Sequence, residues 1–238
     1  MTYVISDIHG CYQTYLALLE KLGFCDDDTL FVLGDAMDRG PEPIKVIRDL
    51  MERPNVFYIL GNHDLMMLDV MEKLAVDVTE DSLEGLTMDL MERYHHWLGE
   101  GGDETAAQFQ KLSREERMDI LDFLRCAPLY DTVEHDGCLY VLVHAGLGNF
   151  DPNRGLEDYA PHELVWERPD YGEAYFPGKP IFVVTGHTPT PMIRPDRQPL
   201  IYREKGHIAI DCGCVFEGFL AAFCIETGEV HYESMKDH

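Results

Sequence analysis

Five short apolar runs in this chain each end in side chains that bind metals or move protons. Thr2–Ser6 leads into Asp7-Ile8-His9-Gly10, and Thr29–Leu33 into Gly34-Asp35, followed by Asp38-Arg39-Gly40. Val56–Leu60 leads into Gly61-Asn62-His63-Asp64, Leu139–Val143 into His144-Ala145-Gly146, and Ile181–Thr185 into Gly186-His187-Thr188. Two Asp, one Asn and three His from these turns make a set of mixed oxygen and nitrogen donors without thiolate. Such a set suits Mn, Fe, Zn or Ni better than Ca or a structural Zn. Two metals roughly 3.5–4 Å apart need one shared carboxylate, and a central Asp can bridge them. A glycine beside each ligand lets the backbone turn sharply and come close to the ions.

The runs have strand length, and helical spacing lies between them. Tyr12, Tyr15, Leu16, Leu19 and Leu22 recur at helical intervals and stop at Gly23. Pro41–Met51 reads as a second helix, with Ile44, Ile47, Leu50 and Met51 on one face. The opening pattern is therefore βαβαβ. In open α/β sheets ligands bind at the carboxyl ends of strands, so the five turns meet at one edge if the strands share a sheet. Residues 64 to about 128 read as a helical insertion, acidic and Met-rich, in which Ser113 and Glu116 form a capping box. After Pro199, runs around Ile201, Ile208–Ile210, Phe219–Ile225 and Val230–Tyr232 read as antiparallel strands joined by Gly-rich turns.

The 238 residues, 45% hydrophobic, suffice for a sizeable core and read as one domain spanning 1–238. The formal net charge of −25 repels nucleic-acid backbone, so no nucleic-acid partner is expected. An anionic substrate then needs a locally positive site, which metals and a few arginines would supply. No apolar run approaches a membrane span, so no membrane partner is expected. Seven scattered cysteines and an N-terminus without a basic leader predict a cytoplasmic location.

The ordered motifs SDIHG, GDAMDRG, GNHD, HAG and GHTP resemble the phosphoprotein-phosphatase branch of the calcineurin-like metallophosphoesterases. That branch includes bacterial serine/threonine protein phosphatases and symmetrical diadenosine tetraphosphate hydrolases. The resemblance spans residue 4 to about 215. It implies an α/β fold, a four-layer α/β/β/α sandwich of two mixed sheets flanked by helices. It implies that Asp7 and His9 bind one metal, that Asp35 bridges, and that Asn62, His144 and His187 bind the second. His63 would be the general acid, oriented by Asp38. Arg39 would clamp phosphate, as would Arg168, which lies in the shorter match Val165-Trp166-Glu167-Arg168-Pro169. The implied cofactors are two divalent or trivalent transition metal ions, manganese first, with Fe, Zn or Ni as alternatives. A metal-bridging hydroxide would attack phosphorus in line. Ser6 for the usual Gly is a harmless small-for-small change, while two departures bear on the substrate: Asp64 for the Glu of protein phosphatases, and Ala145-Gly146 after His144.

The expected activity is that of a metal-dependent phosphoric ester hydrolase acting on a phosphorylated protein or a small phosphoester. A serine/threonine phosphoprotein phosphatase is the preferred reading and a symmetrical dinucleoside tetraphosphate hydrolase the alternative. A non-catalytic phospho-partner scaffold is a third, disfavoured because the acid pair and the ligands are all present. Cys212-Gly213-Cys214 reads as core packing, His95-His96 as a solvated pair, and the insertion as a cap on the sheet.

Overall fold

The computed structural model describes residues 1–74 and 87–237. The part of the helical reading that falls on 75–86 lies outside them. Ten strands form two five-stranded mixed sheets. The first has the order β10-β9-β1-β2-β3, built from β1 (Thr2–Ile5), β2 (Thr29–Leu33), β3 (Val56–Ile59), β9 (Phe219–Cys224) and β10 (Val230–Ser234). The second has the order β4-β5-β6-β8-β7, built from β4 (Tyr130–His135), β5 (Cys138–Val143), β6 (Ile181–Thr185), β7 (Tyr202–Glu204) and β8 (His207–Ala209). The helices are α1 (Tyr12–Leu22), α2 (Pro43–Glu52), α3 (Asn62–Leu74), α4 (Met88–Trp97), α5 (Asp103–Phe109), α6 (Arg114–Cys126) and the short α7 (Pro161–Val165). Among the described residues no helix is long and apolar enough to cross a membrane.

The two-residue period of a strand divides β1 between two cores. Val4 points between the sheets, where Phe31, Leu33 and Ile59 meet Leu142, Val184 and Ile208. Tyr3 and Ile5 point outward, under Leu18, Ile47, Trp97 and Leu121 of the helical layer. A third cluster, with Val143, Val183, Leu164 and Tyr175, covers the far face of the second sheet. There the outer layer is α7 with its loops rather than a full bank of helices. The expected sandwich is thus two buried sheets between a thick and a thin outer layer.

The parallel register β1–β2–β3 and β5–β6 places all five ligand-bearing turns at one edge of the sandwich. One expectation is corrected. The run Ile208–Ile210 is antiparallel to β7 but parallel to β6. Its carboxyl end therefore points to the same edge and delivers a sixth side chain there, Asp211. The capping box forms as expected, with Ser113 and Glu116 each accepting from the other's backbone N–H.

Candidate active site

Most of the side chains at this edge follow a strand on a strained turn. Asp7, His9, Asp35, Asp38, Arg39 and His187 all have φ between 45° and 66°, a left-handed region costly for residues other than glycine. Two glycines are needed for space. A Cβ at Gly61 would overlap the Asp35 carboxylate, and one at Gly186 would overlap that of Asp7.

Asp35 is central. Its Oδ1 accepts from the His63 backbone N–H at 3.0 Å, while Oδ2 lies 3.7 Å from His9 Nε2 and 3.4 Å from His144 Nε2. Outer contacts fix the imidazoles. His9 Nδ1 bonds the Met37 carbonyl at 2.8 Å and His144 Nδ1 the Leu33 carbonyl at 2.6 Å, so Nε2 of each faces the site. Asn62 Oδ1 sits 2.8 Å from His144 Nε2 and 2.9 Å from His187 Nδ1. Asp7 Oδ2 accepts from the His187 backbone N–H at 2.9 Å, and its Oδ1 is 3.9 Å from His9 Nε2.

Two triplets of ligand atoms converge within 4.8 Å, His9–Asp35–His63 and Asp35–His144–His187, with Asp35 common to both. The first holds His63 where the sequence resemblance puts Asp7. His63, however, already spends Nδ1 on Asp38 Oδ2 at 2.7 Å and turns Nε2 to Arg39. Asp7 has no such commitment. The donor set fits two metals, because Asp7, Asp35, Asp64 and Asp211 are all buried here and bound cations would relieve their mutual repulsion.

That repulsion shifts the protonation of the carboxyls. Burial and the neighbouring Asp211 push the Asp7 carboxyl well above its ordinary range. Burial presses Asp35 the same way, but His144 and His63 outweigh it and hold Asp35 well below, as an anion. Burial disfavours a charged His144, yet Asp35 carries its pKa up to about 10. Burial dominates at His9 and His187 and takes both down to about 3. At His63 burial is overcome by Asp35 and Asp38, and the pKa rises.

Arg39 spans two imidazoles, with Nη1 2.7 Å from His9 Nε2 and Nη2 2.7 Å from His63 Nε2. A guanidinium only donates, so both nitrogens accept in this arrangement. Once His63 carries a proton on Nε2, two donors face each other, and an oxyanion between them would satisfy both. The cleft over the site, about 220 Å³, is lined by Asp35, Asn62, His63, His187 and both Arg39 and Arg168, with Met192 and Phe216 exposed at its lip. Every residue that the resemblance assigned to metal, phosphate or proton transfer therefore reaches this one region.

Three contributions were missed. Asp64 Oδ2 accepts from Tyr58 Oη and Gly61 N at 2.8 Å and from Asp35 N at 3.2 Å, tying the β2 and β3 turns together. Asp211 repeats the signal of the other turns, an apolar run ending in Asp near Gly. The insertion does more than cap the sheet. Trp97 Nε1 donates to Asp38 Oδ2 at 2.8 Å, Thr105 Oγ1 accepts from Asp38 N at 2.9 Å, and the Gly101 carbonyl accepts from Arg39 N at 2.7 Å. Trp97 is thus a positioning residue for the His63–Asp38 pair. With Trp97→Phe, Asp38 Oδ2 keeps His63 as its one donor and holds that proton more tightly. The basic limb of the pH–rate profile should move to higher pH, and kcat should fall roughly 10-fold, as for other outer-shell partners. An unmoved limb would reduce Trp97 to packing.

Strand-end carboxylates and imidazoles on a double-sheet sandwich define a metallophosphoesterase. Residues 2–214 match the calcineurin-like phosphoesterase family, and the chain belongs to it. It is a phosphoric ester hydrolase. It is 32% identical over 248 residues to the asymmetrical bis(5'-nucleosyl)-tetraphosphatase PrpE of Bacillus velezensis, covering 92% of this chain and 87% of that one. A symmetrical bis(5'-nucleosyl)-tetraphosphatase of Buchnera aphidicola is 46% identical, but over 71 residues, 29% of this chain and 26% of that one. A crystal structure provisionally described as a diadenosine tetraphosphatase shares the fold, with TM-score 0.65, 22% identity and coverage of 98% and 93%.

Proposed function

We propose that this chain hydrolyses dinucleoside tetraphosphates, with Asp7, His9 and Asp35 holding one metal and Asp35, Asn62, His144 and His187 a second. Two such ions, manganese first among the candidates, lower the pKa of water and neutralise charge on phosphoryl oxygens. The protein supplies the rest. Arg39 and Arg168, which both line the cleft, grip non-bridging oxygens. Asp38 and Trp97 hold the His63 ring so that Nε2 points into the cleft, where a protonated His63 passes its proton to the departing oxygen.

The observation that carries the choice of substrate is likeness over nearly the whole chain to an asymmetrical tetraphosphatase, where likeness to symmetrical enzymes is confined to a short stretch. Asymmetrical cleavage of diadenosine tetraphosphate to ATP and AMP is therefore expected, in place of the two ADP of symmetrical cleavage. The phosphoprotein-phosphatase reading keeps one supporting observation. An acid pair such as His63–Asp38 helps most when an alkoxide leaves, as it does from phosphoserine. Manganese-loaded protein given diadenosine tetraphosphate and a phosphothreonine peptide side by side separates the two. The expected outcome is a kcat/KM at least tenfold higher for the dinucleotide, with ATP and AMP as products. A higher value for the peptide would favour the phosphatase.

A further inference from the structure

A second cavity, about 400 Å³, opens beside the cleft, and Arg168 lines both. Its volume lies in the range of small-molecule sites. One wall is aromatic. Phe150 meets Tyr175 edge-on with centroids 4.8 Å apart, and Tyr175 lies 4.2 Å from the His207 ring. Glu167, Asp170 and Glu173 line the cavity too. Three carboxylates make it a poor place for phosphate, so the anionic part of an occupant belongs at Arg168 and the rest must be neutral or cationic.

His207 narrows the class. It is 2% exposed, Nε2 donates to the Glu173 carbonyl at 2.9 Å, and Nδ1 is buried with no partner. Burial lowers its pKa, so the ring is neutral and Nδ1 carries a lone pair. An unpaired buried acceptor costs stability until a donor reaches it. Three carboxylates and a buried ring-nitrogen acceptor, together with an aromatic wall, suit a flat ring that carries N–H donors.

We propose that this cavity receives one base of the dinucleotide, a base with an exocyclic amino group, while Arg168 fastens the phosphate next to it. The inference rests on the dinucleotide reading above. A cationic peptide side chain would also meet the carboxylates, the aromatic rings and the His207 acceptor, so the choice of a base follows from the likeness to dinucleoside tetraphosphatases, and a phosphopeptide is one arm of the test.

The test uses the manganese-loaded full chain with four substrates: diadenosine tetraphosphate, the corresponding tetraphosphate of purine riboside, which lacks the exocyclic amine, p-nitrophenyl phosphate and an arginine-flanked phosphopeptide. The wild type should favour the adenine compound at least tenfold in kcat/KM, since a site built for a donor rejects an analogue without it. Ala174→Phe, which fills the cavity, should raise KM for diadenosine tetraphosphate tenfold or more and leave kcat/KM for p-nitrophenyl phosphate within twofold. Equal wild-type rates on the two dinucleotides would overturn the subsite and leave the dinucleotide reading standing, whether or not the variant folds. No turnover of diadenosine tetraphosphate, with good turnover of an arginine-flanked phosphopeptide, would overturn both.

Discussion

Asp35→Asn should lower kcat on every phosphoester by at least the roughly 10²–10³-fold that loss of one charge-stabilising group costs. Asp35 is the one carboxylate common to both ligand triplets, and its environment holds it ionised. Asn keeps the shape and can accept the 3.0 Å hydrogen bond from the His63 N–H. It also tolerates the left-handed backbone at this position, φ 52°. The loss should therefore appear in turnover and in retained metal, not in the far-UV circular dichroism or the melting temperature. Wild-type activity with a full metal complement would remove Asp35 from its bridging role.

His63→Asn should leave both metals in place and lower kcat by roughly 10²–10⁴ on a phosphomonoester with a poor leaving group, the span of a general acid. With p-nitrophenyl phosphate, whose leaving group needs little help, the fall should be smaller. For diadenosine tetraphosphate it should also be smaller, because a nucleotide phosphate leaves more readily than an alkoxide. The pH profile gives an independent reading. Asp35 and Asp38 raise the His63 pKa against the effect of burial, so activity on poor leaving groups should fall as pH climbs through that raised value. The variant should lose this basic limb. An equal fall on good and poor leaving groups would contradict the acid role. Loss of a metal would instead make His63 a ligand in the His9–Asp35–His63 triplet.

The five turns that meet at the candidate site could be read from the sequence because each is local: an apolar run of strand length, then a residue able to bind metal, with a glycine close by. Parallel pairing did the rest by bringing like ends together. The insertion's part could not be read that way. Trp97 and Asp38 are 59 positions apart, and nothing near Trp97 announces a partner. Asp64 was noticed as a departure in the motif, but its three donors come from β3 and from the turns after β2 and β3. Asp211 did carry the local signal and was passed over because β8 was read as antiparallel, which would have turned its end away. β4 went unread because it lies at a sheet edge and Tyr130–His135 has no fully buried position, leaving little apolar periodicity to detect.

A manganese titration followed by electron paramagnetic resonance tests the central claim, two metals joined by one carboxylate, most directly. The expected result is two tightly bound ions per chain with a spin-coupled multiline spectrum, replaced in Asp35→Asn by uncoupled signals. A single tight ion per chain, or two that remain magnetically isolated in the wild type, would contradict it.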